Sequence, residues 1–128
     1  MRLLLDTHLL LWASEGSPRL SRKALELITD EDNVLMFSAI SLAEIAIKSA
    51  LRRPDFEVEP GPLRRGLIDN GYIELALTGE HAIAVAGLPA IHKDPFDRLL
   101  VAQAMIEGVT LVTVDAVVGQ YPGPVRVV

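Results

Sequence analysis

Two aspartates that directly follow short apolar runs are the first residues in this sequence whose positions suggest chemistry. Asp6 comes after Leu3–Leu5, and Asp115 comes after Leu111–Val114. An ionised carboxylate is costly to bury unless a partner stabilises its charge. Open parallel sheets bind ligands at the carboxyl ends of their strands. If both runs are strands of such a sheet, the two carboxylates lie at the same edge and are available to a ligand there.

Two further acids lie in stretches with helical patterning. Glu44 lies in SAISLAEIAIKSAL (residues 38–51), and Asp97 lies in HKDPFDRLLVAQA (residues 92–104). Two unneutralised charges about 4 Å apart repel by about 4 kcal/mol at an effective dielectric constant of 20. A fold that gathers several carboxylates therefore normally holds a divalent cation. Oxygen ligands, in a sequence without cysteine, favour Mg²⁺ or Mn²⁺ over zinc.

Three of these acids also have ordinary structural interpretations. Asp6 and Asp115 could cap a helix or a turn. Glu44 could complete a capping box with Ser41, or form an i,i+4 ion pair with Lys48. Each acid taken alone is explained more simply in this way, because capping is common. Four acids together favour the cation site.

The two acids of the DPFD segment have to be distinguished from each other. Pro95 is pre-organised for the first position of a helix, which makes Asp94 the N-cap and Asp97 the third helical residue. Asp97 could simply support that cap. The helix N-terminus also favours its ionised form, which suits a metal ligand.

Alternating apolar runs and amphipathic stretches predict alternating strands and helices. Five strands are predicted at Leu3–Leu5, Val34–Phe37, Tyr72–Leu77, Thr110–Val114 and Val125–Val128. Helices are predicted at Thr7–Ser14, Ser21–Thr29, Ser38–Leu51, Pro62–Asn70, Gly79–Ala86 and Pro95–Glu107. This order predicts an α/β fold with a central, mostly parallel sheet covered by helices on both faces.

The composition sets further limits on the function. A length of 128 residues without internal repeats predicts one domain over residues 1–128. No apolar run approaches the ~18 residues that span a bilayer, and Asp6 interrupts the first run too early for a secretory signal. The absence of cysteine suits a reducing, cytoplasmic compartment. The net charge of −5 means that nucleic-acid binding would require a local basic patch or a bound cation.

The series LLLDTH, SAISLAEIAIKSAL, HKDPFDRLLVAQA and LVTVD resembles a PIN domain, and within that family the toxin ribonucleases of the VapBC toxin–antitoxin type. The resemblance covers essentially the whole chain, and its most specific part is DPFDRLLVAQA followed by a strand ending in T-x-D. It implies an α/β/α sandwich and a metal-dependent endoribonuclease. The acids of the family fall on Asp6, Glu44, Asp97 and Asp115, and Thr113 matches the polar position before the last acid.

The resemblance also implies a cofactor and partners. Mg²⁺ or Mn²⁺ would be held by Asp6 and Asp97, while Glu44 and Asp115 complete its ligands, bind a second ion or orient a water. Thr113 could hydrogen-bond a ligand carboxylate. The implied partners are an RNA substrate, a small cognate antitoxin that covers the acidic pocket with a basic segment, and a second copy of the chain in a homodimer.

Lys48, Arg52 and Arg53 lie at the end of the Glu44 helix, where contact with the RNA backbone and simple solvation of a helix terminus are both open. The three histidines share no spacing that predicts a metal site.

Other classes of protein fit the sequence less well. A phospho-acceptor receiver domain would need an acidic pair at the first strand and a later lysine, but Thr7 and His8 follow Asp6 and no lysine follows Lys93. A haloacid-dehalogenase-like phosphatase would need an aspartate where His8 stands. The remaining alternative is a catalytically inactive PIN fold that binds RNA or protein, which the full set of four acids disfavours.

Overall fold

The computed structural model describes residues 1–128, with the side chain of Asp55 left out of the description. Five strands form one sheet in the order β3-β2-β1-β4-β5, and all four pairings are parallel. The strands are β1 (Arg2–Leu5), β2 (Val34–Ser38), β3 (Ile73–Leu75), β4 (Thr110–Thr113) and β5 (Val125–Val127). The predicted parallel sheet is confirmed, and its central strand is the first one in the chain.

Six α-helices connect the strands. They are α1 (Thr7–Glu15), α2 (Arg22–Thr29), α3 (Ala39–Ala50), α4 (Pro60–Asp69), α5 (Gly79–Ala84) and α6 (Pro95–Glu107). Short 3₁₀ helices span Pro54–Phe56, Val85–Gly87 and Val118–Gln120. Within the described part of the chain, no helix combines the length and apolar character that crossing a membrane requires.

Helices cover both faces of the sheet. Successive residues of β1 show this, because they point to opposite faces and pack in different cores. Leu3 and Leu5 pack with buried side chains of α1, α2 and α4, whereas Leu4 packs with those of α6. All three leucines are fully buried, and a buried leucine side chain contributes about 1.5–3 kcal/mol. The chain is therefore a three-layer α/β/α sandwich, as the strand and helix pattern predicts.

Helix starts follow the predicted caps more closely than strand ends follow apolar runs. Ser21 accepts a hydrogen bond from the backbone N–H of Ala24 at the start of α2. α4 begins at Pro60 rather than at Pro62, since proline is tolerated throughout the first turn of a helix. The third strand is shorter than predicted, because this edge strand pairs only with Met36–Ser38 of β2.

Candidate active site

Asp6 connects the central strand to the first helix. Its side-chain Oδ1 accepts a hydrogen bond from the backbone N–H of Leu9 at 2.8 Å and so caps α1. Its Oδ2 accepts the hydroxyl of Thr113 at 2.6 Å and the backbone N–H of Val114 at 3.3 Å. Burial raises the pKa of Asp6, although these three hydrogen bonds oppose the shift. The carboxylate is thus both a cap and a fixed acid, and the predicted contact of Thr113 with a carboxylate is present.

Glu44 is buried on α3 with a donor at each oxygen. Oε1 accepts the hydroxyl of Thr7 at 2.6 Å, and Oε2 lies 2.5 Å from the ammonium of Lys48. The Thr7 hydroxyl also lies 3.0 Å from the hydroxyl of Ser41. The ion pair with Lys48 is therefore present. The capping box with Ser41 is wrong, because Ser38 is the N-cap of α3.

Asp97 lies in the first turn of α6, as its position after Pro95 predicts. Asp94 is the N-cap, since its Oδ1 accepts the backbone N–H two residues further on at 2.8 Å. Burial, which is the largest cause, and the charges of Asp94, Glu44 and Asp6 together raise the pKa of Asp97 to about 7, while His92 opposes them. Charges influence one another in this way only at short range, so the structure brings these carboxylates together.

Asp115 lies just beyond β4, at the more exposed side of the site. Its backbone N–H donates to the hydroxyl of Thr113 at 3.0 Å. Its Oδ2 lies 2.9 Å from Nε2 of His92, and that nitrogen lies 3.6 Å from Oδ2 of Asp97. Burial raises the pKa of Asp115, but the hydrogen bonds from His92 and from backbone amides outweigh burial and hold the pKa below its ordinary value.

His92 is a site residue that the sequence pattern did not reveal. Its Nδ1 accepts the backbone N–H of Asp94 at 2.9 Å, so in the neutral ring the proton is on Nε2 and is donated to Asp115. The ligand atoms of His92, Asp97 and Asp115 lie within 4.8 Å of one another. An Nε2 that carries a hydrogen does not also bind a cation. His92 therefore orients Asp115 and leaves a cation to the carboxylates.

The signal for His92 was proximity rather than periodicity. It precedes Asp97 by five positions, in the loop that leads into α6. Since loop residues follow no regular spacing, the spacing of the histidines does not indicate this site residue.

The structure thus gathers all four predicted acids, which we call the acid cluster: Asp6, Glu44, Asp97 and Asp115. They converge at the carboxyl ends of β1 and β4, at the starts of α1 and α6 and on α3. Carboxylate oxygens without thiolates form a donor set for a hard divalent cation such as Mg²⁺ or Mn²⁺. After burial, the negative charges of Asp94, Glu44 and Asp6 are the next causes of the raised pKa of Asp97, as expected where carboxylates lie close together. The residues therefore fit such an ion.

A second buried polar group lies where β2 meets α6 and α5, and we call it the amide network: Ser38, His81 and Gln103. Each side chain is at most 1% exposed. The Ser38 hydroxyl donates to Oε1 of Gln103 at 2.5 Å, and the Gln103 amide nitrogen lies 3.4 Å from a backbone carbonyl. His81 accepts the backbone N–H of Thr78 at 3.1 Å through Nδ1, and its Nε2 lies 3.3 Å from a carboxylate oxygen of Glu107.

The other candidate side chains make packing contacts or lie at the surface. The ring of His8 lies 6.0 Å from that of Trp12 and 5.5 Å from that of Phe56, measured between centroids. Trp12 packs against the core formed by α1, α2 and α4. Arg52 and Arg53 are exposed beyond the end of α3.

Comparisons with known proteins agree with this architecture. The sequence model of the PIN domain family matches residues 3–123. VapBC2 from Rickettsia felis, solved with a DNA fragment from its promoter, has a TM-score of 0.69 at 19% identity, and the match covers 98% of each chain. DNA-bound VapBC from Salmonella typhimurium has a TM-score of 0.66 at 20% identity, covering 98% of this chain and 97% of that one.

A toxin–antitoxin complex from Klebsiella pneumoniae has a TM-score of 0.63 at 18% identity, covering 97% of this chain and 95% of that one. At these identities the likeness concerns the fold alone. No curated protein matches the chain by sequence. Because the family model spans almost the whole sequence, from the central strand to the residues before β5, the chain belongs to the PIN domain family.

Proposed function

We propose that this protein is a metal-dependent endoribonuclease and the toxin of a type II toxin–antitoxin system, built as one PIN domain over residues 1–128. The observation that carries the proposal is the convergence of the acid cluster on Asp97, whose pKa is raised to about 7. Perturbed carboxylates in a shared site are typical of catalytic centres. Membership of the PIN domain family supports the same conclusion.

Asp6 and Asp97 are the acids that would hold the cation, with Asp115 and Glu44 beside them. When bound, a divalent cation supplies charge stabilisation at the phosphodiester and lowers the pKa of an attacking water. Asp6 is immobilised by the α1 cap and by Thr113, so its position does not depend on the ion. His92 holds Asp115 at the open side of the site, where a substrate enters. The chain therefore supplies rigid ligands and a positioned acid at the rim.

Partners are proposed on the fold likeness. The similar solved structures are VapBC and toxin–antitoxin complexes, and we propose for this chain a small antitoxin whose basic segment covers the acid cluster. We also propose an RNA substrate and a cytoplasmic location. A homodimer is proposed on the same likeness, and gel filtration at micromolar concentration would test it.

A cleavage assay with purified protein tests the function directly. Labelled single-stranded RNA is expected to be cut in Mn²⁺ or Mg²⁺, to remain intact in EDTA, and to be cut again when either ion is restored. Asp69→Asn is a control variant that is expected to cleave RNA like the wild type, because Asp69 is an exposed acid on α4 outside the site. Undiminished cleavage in EDTA would overturn the metal mechanism. Intact RNA in both metals would leave a PIN fold that binds without cutting.

A further inference from the structure

Lys48 places its ammonium group inside the acid cluster instead of in solvent. Its Nζ lies 2.5 Å from Oε2 of Glu44, one helical turn earlier, and 4.0 Å from Oδ2 of Asp94. The side chain of Lys48 is only 17% exposed. Lysine is rarely buried to this extent unless its charge is paired. The contact with two carboxylates from different helices supplies that pairing.

Two aromatic rings complete the surroundings of this ammonium. Nζ lies 4.8 Å from the ring centroid of Phe56 and 5.7 Å from that of Phe96, both within the range of cation–π attraction. Phe56 belongs to the 3₁₀ helix Pro54–Phe56 and Phe96 to the first turn of α6. An ordinary ion pair on the surface of a helix has no such enclosure. Side chains from α3, the 3₁₀ helix and α6 thus surround the ammonium group of Lys48 and fix its position.

Both carboxylate oxygens of Glu44 already accept a hydrogen bond from within the chain. One of its oxygens accepts the Thr7 hydroxyl, and the other faces Lys48. Asp97 differs, because its Oδ2 lies 3.6 Å from a ring nitrogen of His92 rather than beside an ammonium group. The acid cluster therefore divides into a carboxylate that already has a cation beside it and acids that face one another.

We propose that Lys48 supplies the second positive charge of the site, so that the chain binds one divalent cation among Asp6, Asp97 and Asp115, and Lys48 stands where a second ion would otherwise bind beside Glu44. The inference rests on the proposed function for the identity of the metal-dependent reaction. Its physical basis is repulsion between like charges, since an ammonium in contact with Glu44 opposes the approach of a divalent ion to the same carboxylate.

Counting Mn²⁺ per chain tests the inference, with free ion measured by electron paramagnetic resonance during titration of the protein without RNA. Wild type, Lys48→Arg and the exposed control Lys93→Met are expected to bind one ion. Lys48→Met is expected to bind two, because Glu44 then lacks a cation. Two ions in wild type, or one ion in a folded Lys48→Met variant, would overturn the proposal.

Glu44→Gln provides an independent test that leaves Lys48 in place. It is expected to bind one Mn²⁺ with an affinity that differs from wild type by less than about tenfold. A larger loss of affinity would identify Glu44 as a ligand of the single ion and overturn the proposal. If all ion counts are as expected while no variant cleaves RNA, the proposed nuclease function fails and the role of Lys48 stands.

Discussion

The acid cluster and the amide network are two groups of polar side chains in or beside apolar cores. They differ in whether each polar or charged group has a partner within the chain. In the amide network the Ser38 hydroxyl donates to the Gln103 carbonyl, while the Gln103 amide has a backbone acceptor. In the acid cluster, burial and then the negative charges around Asp97 raise its pKa to about 7. The first arrangement is complete as the chain folds, whereas the second has more negative charge than Lys48 alone neutralises. A buried polar group that satisfies itself stabilises the fold, whereas one left with an excess of charge marks a place for an added ion.

The largest expected effect is on catalysis at the acid cluster. Asp97→Ser removes a carboxylate that serine can replace in neither charge nor reach, so RNA cleavage in Mn²⁺ is expected to fall at least about 100-fold. Circular dichroism should show a folded protein. A folded Asp97→Ser variant with near-normal cleavage would mean that the charge imbalance at this acid has no catalytic consequence.

The free energy of unfolding of the metal-free protein should depend on pH through the titration of Asp97. Asp97 has an ordinary pKa of 3.8 when unfolded and one of about 7 when folded, so the folded state holds the proton more tightly between these values. The free energy of unfolding in EDTA should therefore fall as pH rises from about 4 to about 7, by at most about 4 kcal/mol.

Asp97→Asn removes this titration and is the control for the pH dependence. The variant should be more stable than wild type at pH 8 in EDTA, and its urea midpoint should change less with pH. Any slope that remains in the variant would include Asp6, whose pKa burial also raises. A wild type whose stability rises with pH through this window would contradict the raised pKa of Asp97.

A substitution in the amide network should lower stability and leave metal binding unchanged. Gln103→Leu leaves the buried Ser38 hydroxyl without its acceptor, so the free energy of unfolding is expected to drop by about 1–3 kcal/mol. Mn²⁺ affinity of the folded variant should be unchanged, because this network lies outside the acid cluster. Urea denaturation and Mn²⁺ titration check the two parts. Weakened Mn²⁺ binding would show that the two groups are coupled.

The smallest effect is expected at the cap of α6. Serine at position 94 can still accept the backbone N–H that Asp94 accepts, so Asp94→Ser should cost about 1 kcal/mol or less. Most of the cleavage activity should remain, in contrast to Asp97→Ser. If the two folded variants behaved in the reverse order, Asp94 would be the acid that matters and Asp97 the supporting one.

Sequence patterns predicted those features that follow regular periods or fixed positions. The alternation of strands and helices predicted the parallel sheet, and the parallel sheet placed Asp6 and Asp115 at the same edge. Pro95 fixed the register that separates the cap from Asp97. Each of these predictions depends on local rules of backbone geometry, which a sequence contains directly.

Features assembled from separate elements were not predictable in this way. His92 lies in a loop with no period, and its contacts with Asp97 and Asp115 join residues from different elements. The environment of Lys48 combines α3 with Phe56 and Phe96, and neither ring is a helical neighbour of Lys48. The pattern showed the ion pair with Glu44 but contained no information on what else surrounds the ammonium.

Because β1 lies at the centre of the sheet, the acid cluster can assemble only late in the synthesis of this domain. Asp6 leaves the ribosome well before its partner, because the hydroxyl that fixes its Oδ2 belongs to Thr113, which follows 107 residues later. β1 acquires its second neighbour only when β4 has been made. A nascent chain therefore lacks an assembled acid cluster until β4 has been made, and any activity that depends on the cluster is deferred until then.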